Sequence, residues 1–150
     1  GCWAVMLAFK SSLELEFDGA FVHGSSLSWI ARNDSKPGRS GERETWVLHA
    51  SPEWTDAHLE APAETIVQSL TDAFWSAIGR TAKKTDFSKA HKWRYALPAE
   101  SLAQRCLFDS DMQLAACGDW CGGPRVEGAM LSGAAAAGRV MGSLSTETDE

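Results

Sequence analysis

The residues from Leu114 to Arg139 carry the types and spacing best suited to chemistry. A short apolar run, Leu114-Ala115-Ala116-Cys117, reads as a strand that delivers Gly118 and Asp119 at its C-terminal end. The chain then turns through Cys121-Gly122-Gly123-Pro124, and a helix is expected from about Val126 to about Met141. That succession suits a phosphate- or flavin-bearing ligand. The first-turn N–H groups of a helix have no intrahelical acceptor, and the helix dipole places partial positive charge beside them. Glycines let the backbone come close to the ligand. A carboxylate at the strand end, Asp119, can accept hydrogen bonds from sugar or ribityl hydroxyls. The plainer reading is packing alone, because glycine-rich strand–helix turns are common. The helix is rich in small residues: Gly128, Ser132 and Ala136 form one row, and Ala129, Gly133 and Ala137 the next. Such rows allow close backbone approach to a sheet or another helix. A membrane helix dimer is not expected, since the apolar stretch is short and ends at Arg139.

Other chemical candidates are weaker. Cys117 and Cys121 form a Cys-x3-Cys, but His23, His49, His58 and His91 are scattered singly, so no metal site is expected. Gly24-Ser25-Ser26 lacks the Gly-x-Ser-x-Gly pattern of a nucleophile elbow. The carboxylates Glu60, Glu64 and Asp72 read as an exposed helix face.

Several elements must position these residues. Residues 3–9 read as a buried strand, with further short strands at Phe21-Val22, Leu27–Ala31 and Thr45–Ala50. Asn33 to Gly41 is a polar loop rich in breakers. Short polar connections between the strands favour an antiparallel sheet. Ser51-Pro52 caps and starts a brief helix. A longer helix follows Pro62, with Ile66, Val67, Leu70, Phe74 and Ile78 on one stripe and Gly79 as its cap. Phe87 to Leu97 alternates loosely and reads as a strand that kinks before Pro98, whereas residues 99–112 show no strong pattern. Residues 143–150 read as a frayed acidic tail. The fold class is α+β.

Composition sets the outer bounds. The chain has 150 residues, enough for one domain with a core but rarely for two. Its net charge of -6 repels phosphate backbones, which argues against general nucleic-acid binding. No apolar stretch reaches about 18 residues, so no membrane span is expected. Cys2, Cys106, Cys117 and Cys121 make no paired framework, and free thiols in a reducing cytoplasm are the simpler reading. The apolar run begins abruptly at Trp3 with no basic segment before it, so it is not a signal peptide. Gly1 reads as a residue left by tag removal. Seven tryptophans against one tyrosine are a skewed count: some indoles line a cavity, or core packing alone uses them.

Three blocks of sequence carry a resemblance. Cys117-Gly118-Asp119-Trp120, Arg125-Val126-Glu127-Gly128-Ala129, Leu131-Ser132-Gly133 and Ala136-Ala137-Gly138-Arg139 resemble the C-terminal flavin motif of the flavin-containing amine oxidase superfamily. Trp29–Asn33 with Ser35–Arg39, then Thr45–Ala50, and Ala90–Pro98 look like its renalase-like bacterial branch of NAD(P)/FAD-dependent oxidoreductases. The resemblance runs from Trp3 to about Gly142.

The resemblance implies FAD as cofactor. It places Gly118, Asp119, Arg125, Val126, Glu127, Gly128 and Ala129 at the flavin, with Asp119 near the ribityl chain or pyrophosphate and the N–H groups from Val126 at the pyrimidine edge. It implies that residues 1–98 are part of a substrate-binding domain and 99–142 the returning segment of a Rossmann-like FAD domain. By position in the family, Trp93 and Tyr95 line a cavity beside the flavin ring; alternatively they are strand residues facing a core. His91 is either a site residue or a half-buried structural histidine. Arg32, Lys36 and Arg39 would meet the phosphates of a nicotinamide dinucleotide, or simply belong to a solvated loop. The implied reaction is hydride transfer to flavin from a dihydronicotinamide-like or amine substrate. The sequence lacks the family's N-terminal Gly-x-Gly-x-x-Gly. It therefore reads as the C-terminal half of a longer enzyme, inactive alone. A stand-alone domain that self-associates through the helix 126–141, as a homodimer, is the alternative.

Overall fold

Residues that alternate between core and solvent make a one-sided sheet, and the fourth strand shows this most simply. Along Glu44–Ala50 (β4), Trp46, Leu48 and Ala50 are buried while Thr45, Val47 and His49 are half-exposed. The computed structural model of the chain describes residues 1–39 and 41–146. It forms two units, Gly1–Ala96 and Leu97–Glu150.

The first unit is a five-stranded antiparallel sheet with helices. Its strands are Cys2–Phe9 (β1), Gly19–Phe21 (β2), Leu27–Arg32 (β3), β4 and Phe87–Trp93 (β5), in spatial order β2-β3-β4-β1-β5. Every pairing is antiparallel. β1 is an interior strand paired on both sides, and its residues are buried on both faces, which is why it reads as a continuous apolar run. Pro52–Ala57 (α1) is capped by the Ser51 hydroxyl, which accepts from the Trp54 N–H at 3.2 Å. Ala63–Ile78 (α2) ends at Gly79, held in the left-handed region at φ 62°. Ile66, Leu70 and Phe74 of α2 are fully buried with Val5, Leu7, Leu27, Ile30, Trp46 and Leu48 of the sheet. One buried carboxylate organises the core edge. Glu44 accepts from Trp46 Nε1 (2.7 Å), Ser12 Oγ (2.6 Å) and the Leu13 N–H (2.9 Å).

The second unit contains a hairpin, Leu107–Asp109 (β6) and Leu114–Ala116 (β7), and the helix Val126–Thr146 (α3). The α+β class therefore holds. Three expectations need correction. The strand expected over 87–97 stops at Trp93, because the β1–β5 ladder ends where Trp93 meets Cys2 and the chain turns there. The patternless stretch 99–112 supplies β6, the antiparallel partner of β7. The acidic tail begins later than residue 143, since α3 continues to Thr146; residues 147–150 lie outside the described residues.

Candidate cofactor cleft and open sheet face

The second unit builds a cleft around the start of α3. After β7 the backbone turns at Gly118, whose carbonyl accepts from the Cys121 N–H at 3.0 Å. Leu102 then clamps the turn from both sides. Its N–H donates to the Trp120 carbonyl and its carbonyl accepts from the Gly122 N–H, each at 2.8 Å. Gly122 and Gly123 adopt φ of 79° and 129°, conformations that disfavour any side chain. Gly128 meets the same turn: a Cβ there would run into the Gly123 carbonyl oxygen. One turn further along, the buried Ser132 hydroxyl accepts from the Gly118 N–H (3.0 Å) and donates to the Arg105 carbonyl (2.5 Å). A single side chain thus ties the turn, the strand entering β6, and α3.

The resulting cleft has a volume of about 450 Å³ and is lined by Arg105, Gly122, Gly123, Pro124, Arg125, Glu127, Gly128 and Leu131. Two guanidinium groups and the positive end of a 21-residue helix face one carboxylate there. That balance favours an anionic group.

The first unit offers a different surface. α2 packs on one face of the sheet, and strand register places Phe21, Trp29, His49, Ala4 and His91 in one row across the other. Phe21 and Trp29 rings lie 4.7 Å apart, and His91 and Trp93 rings 4.4 Å. Ala4, opposite both histidines, is the small floor between them. Burial pushes the His49 imidazole below its ordinary pKa, so the neutral ring is favoured.

No family model matches the chain. Its backbone does match solved structures of putrescine oxidase. The enzyme bound to putrescine aligns with a TM-score of 0.51 and 18% identity, over 61% of this chain and 20% of the oxidase. A double mutant from a redesign of that enzyme's cofactor binding aligns at 0.50 and 17%, with the same coverage. The chain shares a fold with part of putrescine oxidase. It spans about a fifth of the putrescine oxidase chain.

Of the residues expected at a cofactor, Arg125, Glu127 and Gly128 line the cleft. Gly118 supports it through Ser132. Asp119, Val126 and Ala129 stand outside its lining, and Val126 is 90% exposed. Arg105 was not expected there, and no local pattern marks it; Leu131 stands in one of the blocks that carry the resemblance but was not among the residues placed at the flavin. On the sheet, His91 and Trp93 share the open face and are exposed, so neither faces the core. Tyr95 lies in the turn after β5, 92% exposed, and belongs to no strand. Phe21, Trp29 and His49 join His91 only through register and were not expected. Arg32 is also corrected. Its guanidinium donates to the Leu15 carbonyl at 2.6 Å and lies over the Trp46 ring at 5.4 Å, a structural role that leaves little for phosphate. Among the described residues, no three His, Cys, Asp or Glu side chains converge as metal ligands, and no helix is long and apolar enough to cross a membrane.

Proposed function

We propose that this chain is the C-terminal half of a cytoplasmic FAD-dependent oxidoreductase of the renalase-like branch, inactive until a Gly-x-Gly-x-x-Gly half completes its cofactor site. The observation that carries this reading is the cleft at the start of α3, where Arg105, Arg125 and the helix N-terminus meet a glycine turn. Its charge suits a pyrophosphate or the edge of an anionic reduced flavin, and its size falls within the range of ligand pockets. FAD, when bound, supplies the hydride acceptor. The chain's own residues then bind and orient. Arg105 and Arg125 would neutralise negative charge, and Gly123 and Gly128 would let the backbone approach.

The open sheet face is the proposed substrate surface. Its indole and imidazole rings suit a flat heteroaromatic molecule. The register places no carboxylate among the paired residues of that face, which carry Lys89, His49 and His91. A diamine of the putrescine kind would need carboxylates to hold its ammonium groups. The face therefore favours a dihydronicotinamide, possessed by a nicotinamide dinucleotide, over an amine.

A flavin titration tests the cofactor reading. The full chain alone should bind FAD weakly, and Arg125→Gln should weaken it further. Adding a separately produced Gly-x-Gly-x-x-Gly domain of the same superfamily should give tight binding. Tight, saturable binding by this chain alone, or no gain on adding the domain, would overturn the half-site reading.

One observation favours the second reading, self-association. Val126, Met130, Met141 and Leu144 of α3 are more than half exposed. A Cβ at Gly133 meets nothing within 4 Å, so the position has room for the start of a larger side chain. Under this reading, sedimentation shows a dimer that Gly133→Leu weakens; a monomer at all concentrations removes it.

A further inference from the structure

The β6–β7 register pairs Leu107 with Ala116, Phe108 with Ala115 and Asp109 with Leu114. Continued by one step, the same register sets Cys106 opposite Cys117. The step after that sets Arg105 opposite Gly118, and there the Arg105 carbonyl and the Gly118 N–H converge on one Ser132 hydroxyl. The hydroxyl bridges those two groups in place of the direct hydrogen bond of a paired position. Pair types alternate along an antiparallel ladder, so Cys106 and Cys117, one step past the last paired residues Leu107 and Ala116, take the position of a non-hydrogen-bonded pair. Such pairs hold their Cα atoms about 4.5 Å apart, at the close end of the span over which a disulfide forms. Both side chains project to the same face of the hairpin. Both cysteines are free; Cys117 is exposed and Cys106 half-buried, while Cys121, four residues on, is fully buried. Cys106 also lines a hollow of about 380 Å³ with Arg105 and Arg139, so an oxidant bearing carboxylates meets positive charge beside the pair.

We propose that Cys106 and Cys117 are a dithiol site that a carboxylate-bearing small-molecule disulfide converts reversibly to a cross-strand disulfide. The exposed Cys117 thiolate attacks the incoming disulfide, forming a mixed disulfide and releasing one thiolate. The Cys106 thiolate then attacks the Cys117 sulfur and releases the second. The chain gives up two protons and two electrons, and the oxidant leaves as two thiols. Bond closure fixes the two strands immediately beside the Ser132 contact, so it stiffens the cleft wall that Arg105 belongs to. Exchange with excess small-molecule thiol reopens the bond, which makes the site reversible.

Oxidised glutathione serves as the probe. The reduced full chain is incubated with it under native conditions, quenched by alkylation, and digested on the N-terminal side of aspartate. Cleavage before Asp109, Asp111 and Asp119 puts Cys106, Cys117 and Cys121 on three different peptides. The expected product has lost two hydrogens and links the Cys106 and Cys117 peptides, with Cys121 and Cys2 alkylated. Cys106→Ser should instead accumulate a stable glutathione adduct on Cys117. A chain unfolded in denaturant should give scrambled links. A Cys117–Cys121 link in the native chain, or a glutathione adduct on Cys117 that persists with Cys106 present, would overturn the proposal.

Discussion

The two units hold their candidate surfaces in opposite ways. In the sheet unit, an apolar core behind β1, β3 and β4 fixes the backbone, and the open face carries its rings as passengers of the strand register. In the second unit the cleft is shaped by backbone conformation and one hydroxyl: two glycines with positive φ, a glycine pressed against a carbonyl, and Ser132. Core burial is distributed over many side chains and tolerates change on the far face. A turn held by a few close contacts does not. Substitutions on the open face should therefore alter binding at little cost in stability, whereas those around the cleft should alter both together.

The sharpest way to test that contrast is to damage each support in turn. Phe74 is fully buried and lies against Phe9, Trp46 and Trp75. Phe74→Ala should destabilise the sheet unit by about 3–5 kcal/mol, measured as a lower urea midpoint in tryptophan fluorescence. Next in size is Gly128→Ala. Its Cβ meets the Gly123 carbonyl, and a forced backbone shift costs about 1–3 kcal/mol. Gly133→Ala is the matched control on the same helix. With open space around it, alanine should stabilise α3 by about 0.5–1 kcal/mol. Equal effects at the two glycines would mean that close approach at Gly128 does not shape the turn.

Ser132→Ala comes next. It leaves the Gly118 N–H and the Arg105 carbonyl without the hydroxyl that now serves both. Losing partners at a buried polar site costs about 1–3 kcal/mol. Amide exchange should quicken at Gly118 in particular, since that N–H would lose its acceptor. Unchanged exchange there would show that another group takes the place of Ser132.

What could be read beforehand follows from how local each signal is. α2 was legible because Ile66, Leu70 and Phe74 bury one stripe and Gly79 stops the helix, all within one segment. β4 was legible because its two faces meet different surroundings. The Gly122-Gly123 turn and the start of α3 were legible from residue type. β6 was not, since three residues with two exposed ends carry no periodicity and are ordered by pairing with β7. Arg105 joins the cleft through a hydrogen bond to a residue 27 positions away, which no window of sequence displays. Trp93, Tyr95 and Leu97 continue a strand-like alternation past the point where the ladder ends. The open face is the extreme case, because Phe21, Trp29, His49 and His91 sit on four strands and only register gathers them.

The smallest expected effect concerns that face and its pH dependence. Burial lowers the His49 pKa from its ordinary value of 6.5, so the unfolded chain binds this proton more readily than the folded one. Stability rises with pH wherever the unfolded state holds more protons. The contribution of a neutral His49 is therefore complete above about pH 6.5 and is lost as pH falls through the lower folded value. Glu60 works in the same direction in a lower window. Arg94 and Lys92 hold its carboxyl below 4.5 by hydrogen bonds and charge, so its loss begins only beneath that value. Urea midpoints taken from about pH 7.5 to about pH 5 should decline in the native chain, and His49→Asn should flatten the decline without touching the core face. A slope that His49→Asn leaves unchanged would show that burial of this ring does not govern the acid response of the surface.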